Sequence, residues 1–292
     1  MSSNRIIRRP EAGAVRIKQA HTDEQVMTLW LHDRPHNTRV GYERDLRQLL
    51  AYAGKSLPLI TLTDLQDYSG TLNDKSPSTK ARVLSSIKSL FTFAYNIGYL
   101  NYNVAAAVRV HKVPNTAGSR VLAERQILKM LDLEKNPRNH ALIRLLYVAG
   151  LRVSEAIGLR WLDLQERIEA GQVTVIGKGG KQRSILLSGG TWDELNSLRP
   201  HKTASDGFVF VTETSRPISR IEAYKIIRAA GKRVGLPRIS PHWLRHSHAT
   251  HALEKGAPLH LVKETLGHAS LTVTSIYVHA RPDDSSARYL VL

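Results

Sequence analysis

The sequence predicts a mainly α-helical protein in two parts: an N-terminal helical bundle, then a mostly helical second domain with a small antiparallel β-sheet. Three observations carry this expectation. At 292 residues the chain exceeds most single domains, so two of ordinary size are expected. Apolar residues recur at three- and four-residue intervals from His21 to about Val108, and again on either side of a central stretch of different character. That stretch, Gln172 to Leu187, sets the β-rich runs Val173-Thr174-Val175-Ile176 and Ser184-Ile185-Leu186-Leu187 around a glycine-rich basic centre, the pattern of a hairpin.

The elements follow in chain order. Residues 1–20 are basic, lack clear periodicity and read as a flexible arm. Thr22-Asp23-Glu24 precedes Val26, Leu29 and Trp30, a cap followed by an amphipathic helix. Asn37 can cap a second helix carrying Val40, Leu46, Leu49, Leu50 and Ala53 and ended by Gly54. Thr63 opens a short third helix. Ser76-Pro77 opens a fourth, with Val83, Leu84, Ile87, Leu90, Phe91, Ala94 and Tyr95 on its apolar face and Gly98 at its end. Short connections make these a small all-α bundle over residues 21–108. Residues 109–120 contain Pro, Gly and basic side chains but no periodic face, and read as an interdomain linker. Its cations suit a strand lying against phosphates, or simply a solvated linker. In the second domain, residues 121–292, helices are expected at about 124–133 and 138–149. The hairpin follows, Phe208-Val209-Phe210 reads as another short strand, and helices start near Ser219, Ser240 and Pro258.

Composition narrows the function. Forty-two Lys and Arg against 25 Asp and Glu give a formal charge of +17, while 42% hydrophobic residues suffice for real cores. Such an excess in a folding chain points to a polyanionic partner. Nucleic acid fits better than an acidic membrane surface, because neither a long amphipathic basic helix nor a lipidation signal is seen. No apolar run reaches the ~18 residues of a membrane span. The absence of cysteine excludes disulfides, thiolate catalysis and cysteine-ligated zinc. Met1 to Pro10 is basic without an apolar stretch behind it, which argues against a secretory signal. A soluble, cytoplasmic protein is expected.

Four clusters can carry chemistry. In Gly150-Leu151-Arg152-Val153-Ser154-Glu155, Gly150 ends one helix and Val153 or Ser154 begins the next. Arg152 then projects from a tight turn, where its planar fork can meet two oxygens of one phosphate and Glu155 can hold it from the same side. A plain surface arginine at a helix junction is the alternative. At the hairpin centre, Lys178 follows Gly177 directly, while Lys181 and Arg183 sit on the return side. Glycines there let a cation approach DNA closely, and the spacing is not that of a Walker phosphate loop.

The third cluster, Ser240-Pro241-His242-Trp243-Leu244-Arg245-His246-Ser247-His248, places His242 in the first turn of a capped helix and Arg245 on the same face. An imidazole and a guanidinium at a helix N-terminus favour an anionic phosphate. His242 and His246 could instead share a zinc ion, although no H-E-x-x-H glutamate accompanies them. Last, Leu266-Gly267-His268 precedes Ile276-Tyr277-Val278-His279. Alone, Tyr277 reads as a core residue with a hydrogen-bonded hydroxyl.

Taken in this order, the pieces resemble the tyrosine recombinase (phage integrase) family, with Xer-type members the best likeness. The resemblance spans nearly the whole chain. It implies a helical core-binding domain followed by a catalytic domain of the fold shared with type IB topoisomerases. It implies that Arg152 and Arg245 grip the scissile phosphate, and that Tyr277 attacks phosphorus to leave a 3′-phosphotyrosyl link and a free 5′-hydroxyl. Lys178 would protonate the departing oxygen, with Lys181 the alternative. His242 would handle the nucleophile's proton and His268 would hydrogen-bond the phosphate or support the pocket. His248 stands where an aromatic such as phenylalanine is expected, and Val278 where threonine is common.

The resemblance further implies double-stranded DNA with paired recombination half-sites as partner. Four copies would assemble on two sites and exchange strands through a Holliday junction, for integration, excision or dimer resolution, with neither metal, cofactor nor ATP. The apolar tail Arg288-Tyr289-Leu290-Val291-Leu292 would dock on a neighbouring copy or pack in cis. A partner recombinase is left open. The rivals are a non-cutting DNA-binding relative, a type IB topoisomerase and a metal-dependent nuclease built on the histidine cluster.

Overall fold

A computed structural model describes residues 19–111, 120–168, 170–177, 180–200 and 205–267. It divides into two units, Met1–Pro114 and Asn115–Leu292. Residues 1–18 of the expected arm, most of the expected linker, and the tail from His268 onward with Tyr277 and Val278 lie outside the described residues, as does Lys178, whereas Ala20, expected in the arm, is buried in the core of the first unit.

The first unit holds α1 (Asp23–Leu31), α2 (His36–Ala53), α3 (Leu62–Thr71) and α4 (Pro77–Asn96). Thr22 caps α1 by accepting from the amide of Gln25 at 3.2 Å, and Ser76 caps α4 through the amide of Thr79 at 3.2 Å with Pro77 behind it. Two starts differ from the sequence reading. Thr61, not Thr63, opens α3, because Asp64 reaches back to the Thr61 amide at 2.8 Å and completes a reciprocal cap. α2 begins at His36 after Pro35, with no side-chain cap from Asn37. Trp30, Leu46, Leu49, Leu65, Leu84, Leu90 and Phe91 fill the core, whereas Leu29 and Val40, expected on the apolar faces, are exposed. α2 and α4 are also joined by charge. Buried Asp45 accepts from Arg82 at 2.5 and 2.9 Å and from the Ser86 hydroxyl at 3.0 Å, so its carboxylate is neutralised where water cannot do it.

The second unit holds α5 (Glu124–Asp132), α6 (Pro137–Val148), α7 (Val153–Ile157), β1 (Leu164–Arg167), β2 (Ala170–Ile176), β3 (Gln182–Ser188), α8 (Gly189–Ser197), α9 (Arg220–Arg233), α10 (Pro241–Glu254) and α11 (Leu259–Leu266). α6 is central: Leu142, Ile143, Leu145 and Leu146 are all fully buried, the signature of a helix covered on most sides. The sheet runs β1-β2-β3, wholly antiparallel. β2 and β3 form the expected hairpin, with Val175 opposite Arg183 and Val173 opposite Ile185. β1 and α8 were not foreseen, and Phe208-Val209-Phe210 makes one bridge, Phe208 to Arg160, rather than a strand. Among the described residues no helix is long and apolar enough to cross a membrane.

Candidate active site

The site is organised by the C-terminus of α11. A helix leaves its last carbonyls without intrahelical donors, and these carry the negative end of its dipole. Here three consecutive carbonyls each receive a different arginine. Nε of Arg183 donates to Thr265 at 2.8 Å, Nη2 of Arg245 to Leu266 at 2.5 Å, and Nη2 of Arg152 to Gly267 at 3.4 Å. The three come from β3, from α10 and from the residue that precedes α7. Gly267 takes φ +62°, a backbone conformation that favours glycine, and a Cβ there would make a tight 3.0 Å contact with Nη1 of Arg183.

Arg152 sits in the expected turn, held by Glu155 at both ends. The Arg152 amide donates to Oε2 of Glu155 at 2.7 Å and its Nη1 donates to Oε1 at 2.8 Å. The Arg152 side chain keeps 32% of its surface exposed while the Glu155 side chain keeps 7%, so the carboxylate is the buried anchor and the guanidinium remains within reach of a ligand. Burial opposes ionisation of Glu155, but hydrogen bonds from Arg183 and from Arg152 outweigh it and hold the carboxylate below its usual range.

Arg245 is buried. Besides Leu266, its Nη1 donates to the carbonyl of Gly150 at 2.5 Å. Gly150 itself takes φ +57°, and a Cβ on it would lie 2.7 Å from Cδ2 of His248 and 2.9 Å from Cδ2 of Leu266. One backbone segment, 150–152, therefore supplies both a carbonyl that fixes Arg245 and the backbone that carries Arg152. His248, at the position where phenylalanine was expected, is the ring packed on that glycine; burial pulls its pKa down to about 4.

His242 lies in the first turn of α10 as expected, although Ser240 makes no side-chain capping bond there. His242 is exposed to solvent. Desolvation by the surrounding protein, then the charges of Arg245, Arg220, Arg152 and Arg120, hold its pKa below the ordinary value, so at neutral pH it is a neutral imidazole facing cations. Desolvation and His242, Arg120 and Arg245 similarly bring His246 down to about 4. Among the described residues no group of three His, Asp or Glu side chains is arranged to hold a metal ion.

The structure thus brings together Arg152, Arg245 and His242. Lys178, His268 and Tyr277 lie outside the described residues; Lys181, the alternative cation of the hairpin, is exposed. Sequence reasoning missed Arg120 and Arg220, which add charge around His242, and it misplaced Arg183. That residue does not join a basic tip. Its side chain is only 11% exposed and grips both oxygens of Glu155, Nη1 to Oε1 at 3.0 Å and Nη2 to Oε2 at 2.8 Å. The signal was present. Side chains alternate faces along a strand, and Arg183 is in phase with buried Ile185 and Leu187 while Leu186 is exposed.

The model of the phage integrase family matches residues 120–283, and that of the phage integrase N-terminal SAM-like domain matches residues 27–98. The tyrosine recombinase XerD of Neisseria meningitidis serogroup B is 32% identical over 88% of this chain and 92% of its own. XerD of Bifidobacterium longum is 34% identical over 87% and 90%, and XerC of Pseudomonas aeruginosa 33% identical over 83% and 84%. Among solved structures, XerH site-specific recombinase bound to its difH substrate superposes with a TM-score of 0.64 at 25% identity, over 80% of this chain and 70% of that one. A lambda integrase dimer bound to a COC′ core site gives 0.73 at 19% identity over 90% and 96%, a likeness of fold. The chain therefore belongs to the phage integrase family, and within it to the tyrosine recombinases.

Proposed function

We propose that this protein is a site-specific DNA recombinase that cleaves and rejoins strands through a covalent bond between DNA and Tyr277. The observation that carries the reading is the convergence of Arg152 and Arg245 on the carbonyl end of α11, beside a neutral His242. A phosphodiester repels an incoming oxygen nucleophile until its charge is neutralised, and two guanidinium groups fixed in advance supply that neutralisation without reorganising during the reaction.

Tyr277 attacks phosphorus. Its phenol, with an unperturbed pKa of about 10, needs a proton acceptor or nearby cations, and His242, kept uncharged by its surroundings, can take that proton. The bond from Tyr277 Oη to phosphorus forms as the bond to the 5′-oxygen breaks. Lys178 gives that oxygen a proton, leaving a 5′-hydroxyl, and His268 hydrogen-bonds the phosphate. The phosphotyrosyl ester keeps the energy of the original bond, so a 5′-hydroxyl from a second strand can reverse the step and join new partners. Residues 21–108 and 121–292 both contact the duplex, on paired half-sites. Four copies on two sites carry the exchange through a Holliday junction. Three things support DNA as partner: the +17 charge, the recombinase relatives, and neighbours solved on DNA.

The test uses a duplex that the purified protein selects from a randomised library, nicked so that cleavage is trapped, in EDTA and without ATP. Wild type is expected to form a denaturant-resistant protein–DNA adduct. Tyr277→Phe is expected to bind equally and form none. Loss of the wild-type adduct in EDTA, or its persistence in Tyr277→Phe, contradicts the reading.

A further inference from the structure

We propose that Arg183 is a positioning residue for strand cleavage: by neutralising Glu155 it leaves the charge of Arg152 available for the scissile phosphate. This rests on the reading that Arg152 neutralises that phosphate. Glu155 distributes its acceptor sites evenly. Oε1 takes Nη1 of Arg152 and Nη1 of Arg183; Oε2 takes the Arg152 amide and Nη2 of Arg183. The buried carboxylate thus faces two guanidinium groups, one almost wholly covered and one a third exposed.

Charge counting gives the consequence. Glu155 and Arg183 sum to zero, so Arg152 keeps a full positive charge toward a bound anion. With Arg183 gone, Arg152 is the one counter-charge left in contact with the carboxylate among the described residues, and a buried anion with one cation draws that cation in. Arg183 also fixes where Arg152 rests, because it holds Thr265, two residues before the carbonyl that Arg152 Nη2 meets, and lies against Gly267. Among the described residues its hydrogen-bond partners are Glu155 and the Thr265 carbonyl, so it acts on Arg152 through them. Its register on β3, opposite Val175 and in phase with Ile185, makes it the first inward side chain of β3 after the hairpin turn, so the strand sets its position.

The test compares two versions of the nicked duplex selected by the protein, one with a phosphodiester at the scissile position and one with a methylphosphonate. The methylphosphonate has no charge to neutralise, so it makes a guanidinium that acts on that charge dispensable. Arg183→Gln is expected to cleave the phosphodiester about 100-fold more slowly than wild type, as a small misplacement of a reacting group can cost. On the methylphosphonate it is expected to come within about threefold of wild type, with DNA affinity changed by no more than that. Because the ratio is taken within one variant, partial unfolding slows both substrates alike and does not imitate the effect. If Arg183→Gln does not bind DNA, the same ratio is read on Arg183→Lys, which keeps a charge but cannot span both Glu155 oxygens and Thr265. An equal defect on both substrates, or none on the phosphodiester, overturns the proposal. Arg152→Ala is measured alongside. If the methylphosphonate fails to relieve it, the assignment of Arg152 itself is wrong and the proposal falls with it; if it is relieved while the Arg183 variants are not, the proposal alone is overturned.

Discussion

Arg245 crosses from α10 to donate at 2.5 Å to the carbonyl of Gly150, two residues before Arg152. The two guanidinium groups assigned to the phosphate are thus not independent. Each is built into the backbone that carries or contacts the other, and both rest on the last carbonyls of α11. Replacing Arg245 by Gln should therefore cost more than its charge. The Gly150 and Leu266 carbonyls lose a buried donor, worth about 1–3 kcal/mol of stability. Cleavage should fall by about 100-fold or more, as for loss of one preorganised donor. Urea unfolding and single-turnover cleavage read the two effects separately.

Gly150→Ala should damage the same linkage from the backbone side. A φ of +57° costs a residue with a side chain about 1–2 kcal/mol, and the new Cβ would meet His248 at 2.7 Å and Leu266 at 2.9 Å. A lowered urea midpoint together with a cleavage defect that exceeds the DNA-binding defect is expected.

Glu155 gives the unit a pH signature. Burial works against its ionisation, but Arg183 and Arg152 hold it below the ordinary 4.5, so it ionises more readily folded than unfolded. Such a carboxyl adds stability above its unfolded pKa and loses that stability as pH falls through the folded value. The stability gap between wild type and Glu155→Gln should be widest near neutrality and shrink below pH 4.5.

His248 acts at higher pH. Burial first, then the charges of Arg245 and His251, hold it at about 4 against an ordinary 6.5. The unfolded chain therefore takes up a proton that the native ring refuses, and native stability contributed above 6.5 declines as pH drops toward 4. His248→Phe, which keeps an aromatic ring on Gly150, should flatten that decline in unfolding experiments between pH 7 and 5.

Much of this was legible in the sequence where the determinants are local. Thr22 and Ser76-Pro77 announce the starts of α1 and α4 because a cap needs only the next three residues. α8 escaped because Gly189-Gly190 open it, and β1 because Leu164-Gln165-Glu166-Arg167 shows no apolar alternation. At the site, the residue types of Arg152, His242 and Arg245 were readable. Their mutual support was not, since the bond from Arg245 to Gly150 spans 95 positions of sequence. Arg183 lies between: the alternation of β3 pointed it inward, but nothing local named Glu155 as its partner.

The most direct measurement is the chemical location of the protein–DNA bond. After trapping on the nicked duplex, trypsin releases a peptide from Glu264 to Arg288 in which Tyr277 is the single tyrosine. Mass spectrometry is expected to find the 3′-nucleotide phosphate on Tyr277 in wild type. A nucleotide attached to any other residue, or a trapped reaction that yields no nucleotide-bearing peptide, would contradict catalysis through Tyr277.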